Sequence, residues 1–222
     1  MSERGQSADG HGATAGNPGE GGRVSTYDLA VIGLGYVGMP LAKEAAAAGL
    51  RVVGFEVDSR KVEALNAGRS YIDDLTDADL EHMLTSGFRA TLDESVLAES
   101  RTVVICVPTP LDEDHRPDLS AVEGATATVA RNLSAGTLVV LESTTWPGTT
   151  DEVARPILET SGLVAGADFH LAFSPERIDP GNAKYGMRNT PKVVGGYTAA
   201  CKDRAVDFYS RFVEQVVPVS GT

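Results

Sequence analysis

Three glycines near the start of the chain have the spacing of a loop that binds a pyrophosphate. Gly33, Gly35 and Gly38 fit the pattern G-x-G-x-x-G between an apolar run and an alanine-rich stretch, and a strand before the loop and a helix after it are the context that this pattern requires. Gly33 permits the tight turn, Gly35 lets the backbone approach a ligand, and Gly38 lets the helix pack on the strand. We expect the loop, with Tyr36 and Val37, to direct helix N-terminal N–H groups at the phosphates of a dinucleotide.

A carboxylate follows this loop at the distance expected for ribose recognition. Glu56 lies 21 residues after Gly35, at the end of a second apolar run. A carboxylate there accepts hydrogen bonds from the adenosine ribose hydroxyls and repels a 2′-phosphate, so the sequence predicts NAD as the cofactor. Lys61 is included among the cofactor residues, with a solvated helix face as its alternative, and Arg60 is assigned to that face. A glycine-rich turn without a ligand is the alternative for the whole motif, and Glu56 argues against it.

Apolar, β-branched runs alternate with helical patterns along the chain after the first 26 residues. The predicted strands are 29–33, 51–55, 102–107, 137–141, 169–173, 192–194 and 216–219, and the predicted helices are 36–48, 59–66, 77–84, 120–133, 149–160 and 199–212. Continuously apolar strands are typical of a parallel sheet covered on both faces. The alternation therefore predicts an α/β fold, a doubly wound parallel sheet that forms a Rossmann-type NAD-binding domain over 27–222.

Residues 1–26 differ in composition from the rest of the chain. They hold seven of the 24 glycines and no aromatic residue, and they lack the apolar core of a signal peptide. Such a segment buries too little apolar surface to offset its ordering entropy, so a disordered leader is predicted.

Charge and cysteine usage narrow the class of partner. With 31 acidic and 19 basic residues the net charge is −12, which disfavours nucleic acid and anionic membranes as partners. No apolar run approaches the length of a membrane span. The two cysteines, Cys106 and Cys201, lack metal-ligand spacing, and neither a metal site nor a disulfide framework is predicted. A reducing, cytoplasmic setting is expected.

Three further motifs carry a resemblance to a known family. They are Val107-Pro108-Thr109-Pro110-Leu111, Glu142-Ser143-Thr144-Thr145-Trp146-Pro147-Gly148-Thr149-Thr150 and Phe173-Ser174-Pro175-Glu176-Arg177-Ile178-Asp179-Pro180-Gly181-Asn182. In this order, with the glycine loop, they resemble the UDP-glucose/GDP-mannose dehydrogenase family, and the resemblance covers essentially all of 27–222. The Ser-Pro-Glu-Arg version is most similar to the branch that oxidises UDP-N-acetylmannosamine or UDP-N-acetylglucosamine.

The resemblance implies an enzyme of polysaccharide or glycoconjugate biosynthesis. In the family, two hydride transfers to NAD⁺ convert the C6 alcohol of a UDP-sugar into a carboxylate. A cysteine traps the aldehyde, a second oxidation gives a thioester, and water cleaves it. Full-length homologues of this kind are expected to be homo-oligomers.

The resemblance also assigns cofactor residues outside the glycine loop. Thr109 is expected to contact the cofactor, although a turn threonine between two prolines is the alternative. Thr144 is expected beside the nicotinamide and the reactive water, as a cofactor and catalytic residue, with a strand-end cap as the alternative. Glu142 is included among the cofactor residues, with a rim carboxylate near a helix end as the alternative.

The last motif supplies the residues assigned to the substrate. Glu176 is expected to help activate the hydrolytic water and to contact the sugar. Arg177 and Ile178 are expected along the sugar nucleotide, where the planar guanidinium suits a phosphate or carboxylate. A surface ion pair is the alternative for Glu176 and Arg177.

Several features depart from the family pattern. UDP-glucose oxidisers carry a second glutamate where this chain has Pro180, which disfavours UDP-glucose without removing it as an alternative substrate. Glu56 stands where an aspartate is commoner. The family's connecting helix with its Lys and Asn, and its nucleophilic Cys in Gly-Gly-x-Cys, have no counterpart here, and neither Cys106 nor Cys201 is assigned that role.

These absences lead to the expectation that the chain is the N-terminal part of such an enzyme, without the C-terminal substrate domain and inactive by itself. A non-catalytic NAD-binding or assembly module is the alternative. A dehydrogenase of 3-hydroxy acids is a third reading, and the Ser-Pro-Glu-Arg segment argues against it.

Overall fold

The computed structural model describes residues 25–111, 117–177 and 185–222. The predicted leader lies outside these residues except for Ser25, which is buried, and Thr26. The predicted substrate residue Ile178 and the family departure at Pro180 also lie outside them.

The described residues form one eight-stranded sheet with helices on both faces. The strands are β1 (Tyr27–Ile32), β2 (Val52–Phe55), β3 (Arg89–Thr91), β4 (Ser100–Ile105), β5 (Leu138–Leu141), β6 (His170–Phe173), β7 (Lys192–Gly196) and β8 (Val216–Pro218). The helices are α1 (Gly38–Ala47), α2 (Ser59–Asn66), α3 (Asp77–Thr85), α4 (Ser120–Asn132), α5 (Arg155–Glu159) and α6 (Ala199–Tyr209). A 3₁₀ turn covers Glu94–Leu97, and a π-helical turn, Thr150–Ala154, leads into α5.

The strand order is β3-β2-β1-β4-β5-β6-β7-β8, and the pairs from β3 to β6 are all parallel. The chain therefore reverses direction across the sheet at β1, which lies between β2 and β4. In an open α/β sheet, the carboxyl ends of the strands at such a switch point are where ligands bind. The predicted doubly wound fold is confirmed.

The sheet departs from the all-parallel expectation at β7, which runs antiparallel to β6. Parallel neighbours need a crossover, usually a helix, and the described residues between β6 and β7 form none. The reversal moves the start of β7 to the edge of the sheet where β6 ends. The sequence analysis also missed β3, because three residues with only one buried side chain leave no apolar pattern.

Two apolar layers hold the sheet between its helices. One packs β1, β4 and β5 against α1, α3 and α6, and the other packs the opposite face of the sheet against α4 and α5. Side-chain caps fix the starts of α2 and α3: the Asp58 side chain accepts from the Arg60 N–H at α2, and Thr76 and Asp79 form a capping box at α3. Over the described ranges, no helix is long and apolar enough to cross a membrane.

Candidate functional site

A cleft of about 710 Å³ opens where β1, β2 and β4 end. Six of the residues that the sequence assigns to the cofactor line it: Gly33, Gly35, Tyr36, Val37, Glu56 and Lys61. Its opposite wall comes from Cys106-Val107-Pro108 after β4 and from small residues of α4. The structure thus brings the glycine loop, the carboxylate and Lys61 together at the switch point.

The three glycines of the loop differ in what surrounds them. Gly33 has a φ of +88°, and a Cβ there would lie 2.7 Å from the Cys106 carbonyl oxygen. A Cβ on Gly38 would lie 2.0 Å from the Gly33 carbonyl oxygen and 2.9 Å from Val31 Cγ1. Gly35 meets nothing within 4 Å on that side, which leaves room for a ligand against the backbone. Two glycines therefore serve the fold of the turn, and the third leaves space in the cleft.

The helix after the loop begins later than the sequence predicts. It starts at Gly38, so Tyr36 and Val37 belong to the turn that precedes it. The N-cap residue Val37 makes no side-chain capping bond. Within this first turn, Pro40 has no N–H, and the N–H groups of Met39 and Leu41 donate to the carbonyl oxygens of Gly35 and Val37. The backbone donors that fit the pyrophosphate of a dinucleotide therefore belong to the stretch from Gly35 to Gly38.

Glu56 is buried at the edge of the cleft. One carboxylate oxygen accepts from the Leu34 N–H (3.2 Å), and the other accepts from Val57 N–H (2.9 Å) and Asp58 N–H (3.2 Å). The ammonium of Lys61 lies 3.5 Å from the first oxygen. Backbone donors thus fix the direction of the carboxylate. The oxygen that accepts from Leu34 has a single N–H donor, so it retains capacity for a further donor such as a ribose hydroxyl.

The loops after β4 and β5 contact each other beyond the cleft. The Thr109 hydroxyl donates to the Thr144 carbonyl oxygen at 2.7 Å, and the Ser143 hydroxyl donates to the Val107 carbonyl oxygen at 2.8 Å. The Thr144 side chain is exposed. Thr109 therefore ties the two loops together, and Thr144 is presented outward beside it.

Glu142 lies elsewhere than the sequence analysis placed it. Its side chain is fully buried, and it is bound by two partners: the Tyr209 hydroxyl donates to one carboxylate oxygen, and the Lys192 ammonium lies 3.0 Å from the other. It is absent from the lining of the cleft and is not a rim carboxylate. The assignment to the cofactor is therefore revised to an internal ion pair. A lone carboxylate at the end of an apolar strand gave no signal of its distant partners.

Lys192 joins Glu142 to the predicted catalytic glutamate. Its ammonium lies 3.7 Å from a carboxylate oxygen of Glu176 and 5.4 Å from the centre of the Tyr209 ring. We call these four residues, Glu142, Glu176, Lys192 and Tyr209, the buried charge cluster. Sequence analysis missed Lys192 and Tyr209, although a lysine that opens the otherwise apolar run Lys192–Gly196 was a visible signal.

Burial and charge act against each other in this cluster. Burial raises the pKa of Glu142, an effect that Lys192 opposes. Burial alone would lower the pKa of Lys192, but Glu142 and Glu176 outweigh it and raise that pKa. Burial and the neighbouring Glu142 raise the pKa of Tyr209 well above its usual value, so the phenol remains a donor.

The segment after β6 carries the predicted substrate residues. Glu176 is partly buried, and one of its oxygens accepts from the Arg177 N–H at 2.6 Å. The Arg177 side chain is exposed, and the Ser174 hydroxyl anchors the segment by donating to the Val193 carbonyl oxygen at 2.9 Å. Glu176 is thus held beside Lys192, while Arg177 projects from the same edge of the sheet. This contact with Lys192 replaces the surface ion pair that was the alternative.

Both cysteines are buried and free. Cys106 lies just after β4 rather than within it, and burial raises the pKa of its thiol well above the usual value. Cys201 lies in the first turn of α6; burial opposes its ionisation, but hydrogen bonds from His170, Thr198 and Leu171 outweigh it and lower the pKa of Cys201 to about 7. His170 begins β6, so Cys201 lies at the end of that strand away from Glu176.

The switch-point cleft, the glycine turn and the carboxylate after β2 define a Rossmann-type dinucleotide-binding domain. Residues 27–213 match the NAD binding domain of the UDP-glucose/GDP-mannose dehydrogenase family. The chain belongs to this family, and NAD is the cofactor of this domain.

Named relatives give the same result. The chain is 37% identical over 188 residues to UDP-N-acetyl-D-mannosamine dehydrogenase of Pyrococcus horikoshii, covering 84% of this chain and 45% of that protein. It is 36% identical to UDP-N-acetyl-D-glucosamine 6-dehydrogenase of Salmonella typhi, covering 86% of this chain and 44% of that one. A solved structure of the P. horikoshii UDP-D-ManNAc dehydrogenase superposes with a TM-score of 0.82 at 36% identity, covering 87% of this chain and 47% of that one. The chain spans about half the length of the curated relatives it matches.

Proposed function

We propose that this chain supplies the NAD-binding half of a nucleotide-sugar 6-dehydrogenase that oxidises the C6 alcohol of a UDP-N-acetylhexosamine. The observation that carries the proposal is the arrangement at one edge of the sheet. The cleft with Glu56 opens at the ends of β1, β2 and β4, and Glu176 follows β6 at the same edge. A cofactor site and a carboxylate suited to proton transfer therefore face the same side of the sheet. The two thiols that are buried and free fit a reducing, cytoplasmic compartment.

Each residue of this edge has a task in that reaction. Bound NAD supplies the acceptor for hydride. The loop from Gly33 to Gly38 holds the pyrophosphate through backbone N–H groups, and Glu56 orients the adenosine ribose. Thr144, presented beside Thr109, offers a hydroxyl that both donates and accepts near the reacting centre. Glu176 acts as the general base that accepts a proton from the hydrolytic water, and Lys192 lies next to it as a fixed positive charge.

Selectivity for NAD tests the cofactor half of the proposal. The purified chain should bind NAD more tightly than NADP in calorimetric titrations, because the Glu56 carboxylate repels a 2′-phosphate. Glu56→Ala should lower the ratio of the NADP to the NAD dissociation constant by about tenfold, since it removes one charge-assisted ribose contact. Glu63→Ala removes a carboxylate from the exposed face of the adjacent helix α2 and should leave the preference unchanged. Equal or better affinity of the unaltered chain for NADP contradicts the assignment of Glu56.

The sugar is the second part of the proposal, and Arg177 together with the named relatives supports it. When the chain is joined to a C-terminal half from this branch of the family, kcat/KM should be higher for a UDP-N-acetylhexosamine than for UDP-glucose. A site that hydrogen-bonds the acetamido group leaves those groups unpaired when glucose occupies it. Arg177→Ala should weaken activity on the acetylated sugar. If UDP-glucose is the better substrate, the branch is wrong while the family and cofactor stand.

A further inference from the structure

Leu34, the middle residue of Gly33-Leu34-Gly35, is held at three points. Its side chain is fully buried and fills the space that a Cβ on Gly54 would occupy, since such an atom would lie 2.5 Å from Leu34 Cδ2. Its N–H donates to Glu56 at 3.2 Å. Its carbonyl oxygen accepts from the hydroxyl of Tyr71 at 2.5 Å. Side chains thus bind both backbone polar groups of a residue flanked by two glycines.

The two side chains that bind Leu34 are also linked to each other. The Lys61 ammonium lies 3.5 Å from the Glu56 carboxylate and 5.8 Å from the centre of the Tyr71 ring. Burial raises the pKa of Tyr71 above its usual value, so its hydroxyl remains a proton donor at neutral pH. Near Tyr71, Asp73 lies 3.4 Å from the hydroxyl of Tyr36. The segment between α2 and α3 therefore contacts the glycine loop at two positions, Leu34 and Tyr36.

We propose that Tyr71 and Glu56 form a clamp on the backbone of Leu34 that holds the glycine loop in its ligand-binding shape before NAD arrives, which makes Tyr71 a positioning residue for the cofactor. Neither glycine beside Leu34 has a side chain to restrict its backbone, so an unclamped loop would sample many conformations. Ordering that loop on binding costs affinity, and a clamp that orders it in advance avoids the cost. The proposal rests on the NAD site described above and adds a residue from outside the glycine motif.

Tyr71→Phe is the variant that tests the clamp, because it removes one hydroxyl and keeps the ring over which Lys61 lies. In the chain without ligand, amide hydrogen exchange at Leu34 and Gly35 should become about tenfold faster. Dissociation constants for NAD and for ADP-ribose should both rise about five- to tenfold, since both contain the pyrophosphate. Tyr27→Phe is the matched control: its hydroxyl accepts from Arg89 at the opposite end of β1, and its loss should leave exchange at Leu34 and the affinity for NAD unchanged.

A second variant tests the other hydrogen bond to Leu34 and can be used if Tyr71→Phe folds poorly. Glu56→Gln retains one acceptor oxygen. Two N–H groups, those of Val57 and Asp58, meet one side of the carboxylate and the Leu34 N–H alone meets the other, so the amide oxygen should face Val57 and Asp58 and leave the Leu34 N–H without its acceptor. This variant should also speed exchange at Leu34. Unchanged exchange at Leu34 in both folded variants overturns the clamp, and so does faster exchange with unchanged affinity for NAD. If the unaltered chain does not bind NAD, the proposed function fails, and the exchange rates still decide whether Tyr71 holds the loop.

Discussion

The glycine loop and the buried charge cluster lie at the same edge of the sheet but are stabilised by opposite means. The loop is built from backbone groups and closely packed glycines, and it leaves an open cleft beside it. The cluster places two carboxylates, an ammonium and a phenol where burial penalises charge. The ammonium offsets the charge of the carboxylates, and the phenol donates a hydrogen bond to Glu142. The loop therefore leaves room for a ligand beside its backbone. In the cluster the charged groups are paired with one another, and only part of Glu176 is exposed.

The largest expected effect falls on the cluster. Lys192→Met should destabilise the chain by about 3–5 kcal/mol at neutral pH, because it leaves Glu142 buried without its counter-ion. Burial already raises the pKa of Glu142, and loss of the ammonium raises it further. When the pKa of a carboxyl is higher in the folded state than in the unfolded state, the free energy of unfolding of the protein falls as the pH rises. The deficit measured by urea denaturation should therefore shrink as the pH is lowered from neutrality, because Glu142 takes up a proton.

The control for this prediction is Lys202→Met, the same substitution on the partly exposed surface of α6. Its free energy of unfolding should stay close to that of the unaltered chain at every pH. A Lys192→Met deficit that does not change with pH would show that lost packing, rather than the buried charge, explains it.

The next effect separates the glycines of the loop. Gly38→Ala should cost about 3 kcal/mol of stability, because its Cβ would overlap the Gly33 carbonyl oxygen. Gly35→Ala introduces the same methyl where no atom lies within 4 Å, so the melting temperature should stay near that of the unaltered chain while affinity for NAD falls. Thermal melts and calorimetry on the pair measure both effects. If both substitutions lower the melting temperature equally, the claim that Gly38 is needed for packing and Gly35 for ligand binding is contradicted.

The smallest expected effect is loss of the phenol hydroxyl from the cluster. Tyr209→Phe should cost about 1–3 kcal/mol, since one Glu142 oxygen then lacks a buried donor. Because Lys192 still neutralises the carboxylate, this loss should be smaller than that of Lys192→Met. Urea denaturation of both variants at one pH measures the two losses in free energy of unfolding. A larger loss for Tyr209→Phe than for Lys192→Met would show that the phenol, not the ammonium, contributes most to the stability of the cluster.

The two regions also differ in how far they can be predicted from sequence. The glycine loop is a contiguous motif, and its role follows from local spacing together with Glu56, so the whole cleft edge from Gly33 to Lys61 could be placed without a structure. The cluster joins residues that are distant in sequence: Tyr209 and Glu142 are 67 positions apart. No local pattern reports such a contact.

The direction of one strand explains why Lys192 in particular was missed. Because β7 runs antiparallel to β6, with Phe173 opposite Gly195, its first residue lies beside the segment that follows β6. A parallel β7, as the apolar runs suggested, would place Lys192 at the other edge of the sheet, far from Glu176. A single strand reversal that sequence periodicity does not encode therefore decides which charge accompanies the candidate catalytic carboxylate.

A crystal structure of the chain grown with NAD would show whether the cofactor binds in the cleft at the ends of β1, β2 and β4. The pyrophosphate should lie against the backbone from Gly35 to Val37, and the adenosine ribose hydroxyls should lie within hydrogen-bonding distance of Glu56. Leu34 should keep its hydrogen bonds to Glu56 and Tyr71 in that complex. NAD bound outside this cleft, or a ribose turned away from Glu56, would contradict the assignment of the cleft to the cofactor.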